Sequence, residues 1–202
     1  MSTNARLTSR CVSALVALSL CVVGTPILAG QGVPPIKAPA DDAAVFKDFS
    51  ARVQAYLKLQ KTVEAGLPAL KSTDVPELIT AHQQALARTI QEARPKAKAG
   101  DLFTPAVCAA FRHASLAALG GADSANSRAY MQPDGPNPGM RLAVNGIYPD
   151  TEPITSFPPA LLAAFPALPV EVAYRVVGRT LIVIDVKSRL IVDVAPLTLP
   201  AS

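Results

Sequence analysis

The chain has 202 residues, half of them hydrophobic and 17% charged, with 19 prolines, six phenylalanines, four tyrosines and no tryptophan. That length suits one domain with appendages, and the apolar content excludes an intrinsically disordered chain. The formal charge of +4 loses Arg6 and Arg10 to an export segment, which leaves 17 basic against 15 acidic side chains; with no basic run denser than Lys96 and Lys98, this balance excludes a nucleic-acid binder.

Residues 1–29 read as a secretory signal peptide. Arg6 and Arg10 form its positive end, the apolar run Cys11–Val23 follows, and Gly24 and Pro26 break the helix. Cleavage is expected near Ala29, which sends the chain to the periplasm or the medium. An uncleaved anchor is the rival reading, since Val12–Ala29 approaches the roughly 20 apolar residues that a span requires. Leu20 before Cys21 argues against a lipoprotein, which needs a small residue there. No second apolar span follows, so the mature chain carries no membrane span. Cleavage leaves Cys108 alone. The fold then holds by its core and not by a disulfide.

Residues 30–40 form a proline-rich tether, and 41–120 a helical region. From Asp41 the apolar positions Phe46, Phe49, Val53, Tyr56, Val63 and Leu67 recur at helical spacing, interrupted by Gln60, up to Gly66 and Pro68. A second helix is expected from Asp74, with Glu77 completing a capping box and a stripe of Ile79, His82 or Gln83, Leu86, Ile90 and Ala93 before Pro95. Thr104-Pro105 opens a third, with Val107, Cys108, Phe111, Ser115 and Ala118 inward, stopped by Gly120-Gly121. The first two helices should pair as a helical hairpin.

Residues 121–140 are dense in turn formers and read as a flexible loop; 141–202 follow different rules, and 11 of the 19 prolines fall from Pro133 onward. Arg141–Asn145 is expected as a short strand and Pro159–Phe165 as a short helix. Val170–Val177, Thr180–Val186 and Leu190–Val194 are β-rich, joined by Gly178-Arg179 and Lys187-Ser188-Arg189. They read as a three-stranded antiparallel meander whose first loop is a two-residue primed turn. Simple alternation puts Ile182, Ile184, Val186, Leu190, Val192 and Val194 on one face. Tyr174, Val176, Leu181, Val183 and Ile191 fall on the other, with Asp185 and Asp193. Both faces are apolar, so helices cover one and either the segment 141–169 or another molecule covers the other. The fold class is α+β.

The run Tyr174-Arg175-Val176-Val177-Gly178-Arg179-Thr180-Leu181-Ile182-Val183-Ile184-Asp185, followed by Leu190-Ile191-Val192-Asp193, resembles the tail of a family of exported bacterial proteins. Gly100-Asp101-Leu102-Phe103 and Val144-Asn145-Gly146-Ile147-Tyr148-Pro149 are similar to that family too. The resemblance implies a signal peptide, a helical front and this hairpin tail. It transfers no activity and no site.

Few residues nominate chemistry. His82 and His113 lack a carboxylate three or four residues away, and Cys108 lies about 140° from His113 around a helix. Two histidines and one cysteine are thin for a metal, so no metal and no cofactor is expected. Asp185 and Asp193, one diagonal apart on one sheet face, are the candidate acid–base pair, with His113 recruited in space. The plainer reading pairs them with Arg179 or Arg189, or leaves them solvated. Arg175 joins them only if the first hairpin loop has three residues. If the pair is catalytic, Asp193→Asn would spare the fold and remove an activity. The expected function is non-catalytic: a binding or assembly module of the bacterial envelope that meets a protein partner, or a second copy, through the sheet. An exported hydrolase or metal-dependent enzyme, or a carrier of a small apolar ligand, are the alternatives.

Overall fold

A computed structural model describes residues 40–119, 141–149, 151–152, 157–178 and 180–196. The signal segment, the tether up to Pro39 and the loop 121–140 lie outside the described residues. All described residues fall in one unit, Pro34–Ser202.

Three helices lead. Helix α1 (Ala40–Glu64) buries Phe49, Val53, Tyr56, Leu57 and Gln60 on one face. Gln60 does not interrupt the stripe; it is fully enclosed and belongs to it. Helix α2 (Pro76–Ala93) buries Leu86, Ala87 and Ile90. Its expected capping box does not form: Val75, not Asp74, precedes the first turn, and no side chain caps it. Proline at the first helical position removes one of the N–H groups a cap would have served. Helix α3 (Pro105–Leu119) begins as read, with the Thr104 hydroxyl accepting from the Val107 N–H at 3.3 Å. A one-turn helix, α4 (Pro159–Ala164), follows.

Strands β1 (Val172–Val177), β2 (Thr180–Asp185) and β3 (Ile191–Pro196) form an antiparallel sheet in the order β1-β2-β3. Val177 pairs with Thr180, so the first loop has two residues, and Gly178 has the positive φ of 57° that a primed turn requires. That loop sets Arg175 on the face away from the aspartates.

The second pairing departs from simple alternation. Ile184 pairs with Ile191 but Val183 with Asp193, so Val192 is an extra residue in β3, a β-bulge. Ile191 therefore faces outward with Ile182 and Ile184, while Leu190 and Val192 join Leu181 and Val183 inside. The expected placement of Leu190, Ile191 and Val192 is thus reversed. Asp193 stays inside because the bulge undoes one step of the alternation.

The inner face packs on the helices around Phe111. Its ring centroid lies 5.0 Å from Phe49, 5.5 Å from Phe103 and 4.5 Å from Phe165. Residues 141–149 contribute to the cover of the outer face. No strand forms over Arg141–Asn145; instead the pairing falls on 145–148, where Asn145 N–H donates to the Ile191 carbonyl and Tyr148 N–H to that of Arg189, both at 2.8 Å. Asn145 adopts φ 63°, which turns the chain before it can extend. Leu142 and Tyr148 pack there against Ile182, Ile184 and Ile191, which are at most 5% exposed. The centre of the outer face is thus covered from within the chain, while Ala173 and Val194 beside it are only partly buried.

Phe111→Ala should cost about 3–5 kcal/mol, because the rings around it cannot all collapse into the space left. Urea unfolding should show a lower midpoint with an unchanged slope.

Candidate functional site

Both sequence-nominated carboxylates are fully buried, and among the described residues neither pairs with an arginine; Arg179 lies outside them. Asp185, at the end of β2, accepts from the Tyr56 hydroxyl at 2.7 Å and Gln60 Nε2 at 2.9 Å through one oxygen. Its other oxygen accepts from the Ser188 N–H at 2.9 Å. Burial, then the Asp185 charge, pushes the Tyr56 phenol far above its ordinary value, so it remains a hydrogen-bond donor.

Asp193 is held by backbone alone. One oxygen accepts from Gly100 N–H at 3.0 Å and Val194 N–H at 2.8 Å; the other accepts from Leu102 N–H at 2.6 Å and Phe103 N–H at 2.8 Å. Burial pushes this carboxyl up from its ordinary value, and the four N–H groups pull against that. Every lone pair has a donor, so the carboxylate is engaged by the fold and closed to substrate.

The two carboxylates share the inner face but not a ligand, and His113 does not join them. Its Nδ1 meets Asp42 at 2.7 Å on an exposed helix surface. Among the described residues no group of three His, Cys, Asp or Glu could hold a metal ion. Cys108 donates its thiol to the Phe103 carbonyl at 3.3 Å, and burial followed by the Asp193 charge raises its pKa. That disfavours a thiolate nucleophile.

Arg94 is the polar residue that sequence reasoning missed. It closes α2, and its guanidinium lies 5.1 Å from the Tyr56 ring centroid. It reaches Asp101 at 3.6 Å, Asn145 Oδ1 at 3.2 Å and the carbonyl of the bulged Val192 at 3.5 Å. Asn145 answers by donating Nδ2 to the Arg94 carbonyl at 2.9 Å. One cation thus joins helix end, loop and sheet beside both buried acids. Its only sequence cue is a basic residue in front of the helix-ending Pro95.

The open feature lies elsewhere. The end of α1, the chain after it and the first turns of α2 enclose a groove of about 680 Å³. Leu67, Leu70 and Ile79 line it, with Lys61, His82 and Lys187 around them. Lys187 is paired to both oxygens of Glu64 at 2.7 and 2.8 Å, and Lys61 to Glu171 at 3.2 Å. The charged groups are matched within the chain, and Leu67, Leu70 and Ile79 share the rest of the lining with the polar side chains of His82 and Gln83. Leu70, Val75 and Leu78 are 42–53% exposed within one nine-residue stretch beside it.

The chain matches no family model, no curated protein and no solved structure.

Asp193→Asn should not spare the fold, because an amide nitrogen would point at N–H groups. The expected loss is about 2–4 kcal/mol for Asp193→Asn and about 1–3 kcal/mol for Tyr56→Phe, whereas the exposed His113→Gln should cost less than about 1 kcal/mol. Denaturant unfolding of the three variants in one buffer checks the ranking.

Proposed function

We propose that the chain is exported to the bacterial envelope or beyond and works as a non-catalytic binding module. The partner is a protein that inserts an apolar segment into the groove between α1 and α2. The observation that carries this reading is the apolar lining of that groove by Leu67, Leu70 and Ile79, with Leu70 itself 42% exposed. Its support on the negative side is that Asp185 and Asp193 are consumed by the fold. This reading takes the groove as the surface in place of the sheet because Ile182, Ile184 and Ile191 are at most 5% exposed. Export rests on the amino-terminal pattern of Arg6, Arg10 and the apolar run to Val23, and on the family resemblance of the tail. Among the described residues no helix is long and apolar enough to cross a membrane.

Expression of the full chain in its host followed by intact-mass measurement of the envelope and medium fractions tests export. Loss of residues 1–29 is the expected outcome; an unprocessed chain in the cytoplasm would overturn it. Leu70→Glu tests the groove. The side chain is exposed, so stability should change by no more than about 0.5 kcal/mol. Chemical cross-linking in the envelope should give a defined protein adduct with the parent chain and none with the variant. Native mass spectra carrying a few hundred extra daltons, without a protein adduct, would replace the partner by a small apolar ligand.

A further inference from the structure

Helix α2 is buried over only half its length. Leu86, Ala87 and Ile90, all in its second half, face the core, while none of residues 76–85 is buried. The corner that leads into it is apolar and stiff. Val75 is extended, at φ −83° and ψ 109°, and its N–H donates to the Thr73 hydroxyl at 3.2 Å. Its carbonyl accepts from the N–H groups of Leu78 at 3.2 Å and Ile79 at 3.3 Å, and Pro76 fixes the backbone between them. Val75 and Leu78, 46% and 53% exposed, are therefore held out to solvent by a hydrogen-bonded turn and would lose little freedom on being covered.

The groove is next to this corner, since Ile79 lines it and directly follows Leu78. The two features carry opposite charge. Asp74 and Glu77 stand beside Val75 and Leu78; both are exposed, and among the described residues neither takes part in an ion pair. Around the groove stand Lys61 and Lys187, with the exposed Lys71 directly after Leu70. Lys61 and Lys187 have acids of their own, but they are 63% and 51% exposed against 21% and 26% for Glu171 and Glu64. The ammonium groups are thus outermost, and each keeps an N–H for a further carboxylate.

We infer that the protein inserted into the groove is a second copy of this chain, whose Val75 and Leu78 enter among Leu67, Leu70 and Ile79 while its Asp74 and Glu77 meet the lysines. The pairing rests on the groove being the docking surface proposed above, and it names the occupant. Because corner and groove are neighbours at one helix end, a two-fold axis beside the first turns of α2 lets each copy fill the other, and the assembly closes at two. Burial of the apolar side chains supplies the attraction, and the acids and lysines set the register. A patch this small belongs at the low end of interface sizes, so the dimer is a weak one, half formed at roughly 10–100 μM.

Sedimentation equilibrium of the chain purified from its host, between about 1 and 500 μM, tests the pairing; the parent should pass from monomer to dimer over that range. Leu78→Gln, which alters the corner, and Leu70→Glu, which alters the groove, should each raise the dimer dissociation constant at least about tenfold. Thermal unfolding of dilute samples should not distinguish them from the parent, because both side chains are exposed. An equimolar mixture of the two should associate more tightly than either variant alone, since it sets one intact corner against one intact groove. Glu77→Lys should weaken the dimer by up to about fivefold, and by less in high salt. A parent that stays monomeric at the highest concentration, a series that grows past two copies, a dimer indifferent to both leucine variants, or a mixture no tighter than its components would overturn the pairing. A monomeric parent that still cross-links to a different protein in the envelope would overturn only the occupant and leave the groove as a docking surface; with no adduct of any kind, both fall.

Discussion

Four backbone N–H groups converge on the carboxylate of Asp193, and the position of the whole hairpin follows from them. Removing a charge from water costs several kcal/mol even after the protein relaxes. Charge-assisted hydrogen bonds offset that cost only if donors occupy every lone pair, which a flexible loop rarely provides. Here the segment 100–103 is bent so that three of its N–H groups point one way, with Gly100 at φ 93° where a side chain would be strained. The bulge at Val192 supplies the other half. With Ile191 facing outward, two regular steps would leave Asp193 outward as well; the extra residue brings it in, and Arg94 takes up the carbonyl that the bulge displaces. Bulge, loop and arginine form one device.

Asp185 repeats the principle with side chains. Tyr56 and Gln60, one helical turn apart on α1, donate to the same oxygen, so the rotation of α1 about its axis is fixed relative to β2. The hydrophobic contacts around Phe111 supply most of the driving force, but they tolerate sliding. The two acids remove that freedom. They therefore explain why two aspartates stand on the inner face of a sheet built mostly of apolar residues.

Much of this was legible in the sequence. Helical periodicity located α1, α2 and α3 because each has one buried stripe, and Gly178 announced the hairpin because only a positive φ closes a two-residue loop. The shared face of Asp185 and Asp193 was legible as well. What escaped were features without local cause. The bulge at Val192 is chosen by Arg94 and by residues 100–103, roughly ninety positions upstream, so β3 read alone gives the wrong faces for Leu190, Ile191 and Val192. Gln60 looked like a break in a stripe because its acceptor is 125 residues away. The covering of the outer face depends on Tyr148 and Leu142, in a segment whose pairing begins only after the turn at Asn145. The groove could not be read at all, since it arises from the spacing of two helix ends.

The distance along the chain between Tyr56 and Asp185, 129 residues, has its own consequence. When synthesis has produced all three long helices, the buried polar groups of α1 still lack their acceptor, and the cradle at 100–103 surrounds nothing. Closing such large loops before any contact rewards them slows folding. The three long helices, Ala40–Glu64, Pro76–Ala93 and Pro105–Leu119, thus precede in the chain the acids that lock them. The contacts that fix α1 and the 100–103 cradle therefore depend on β2 and β3, so their stability is set by the most distant pairings in the described fold.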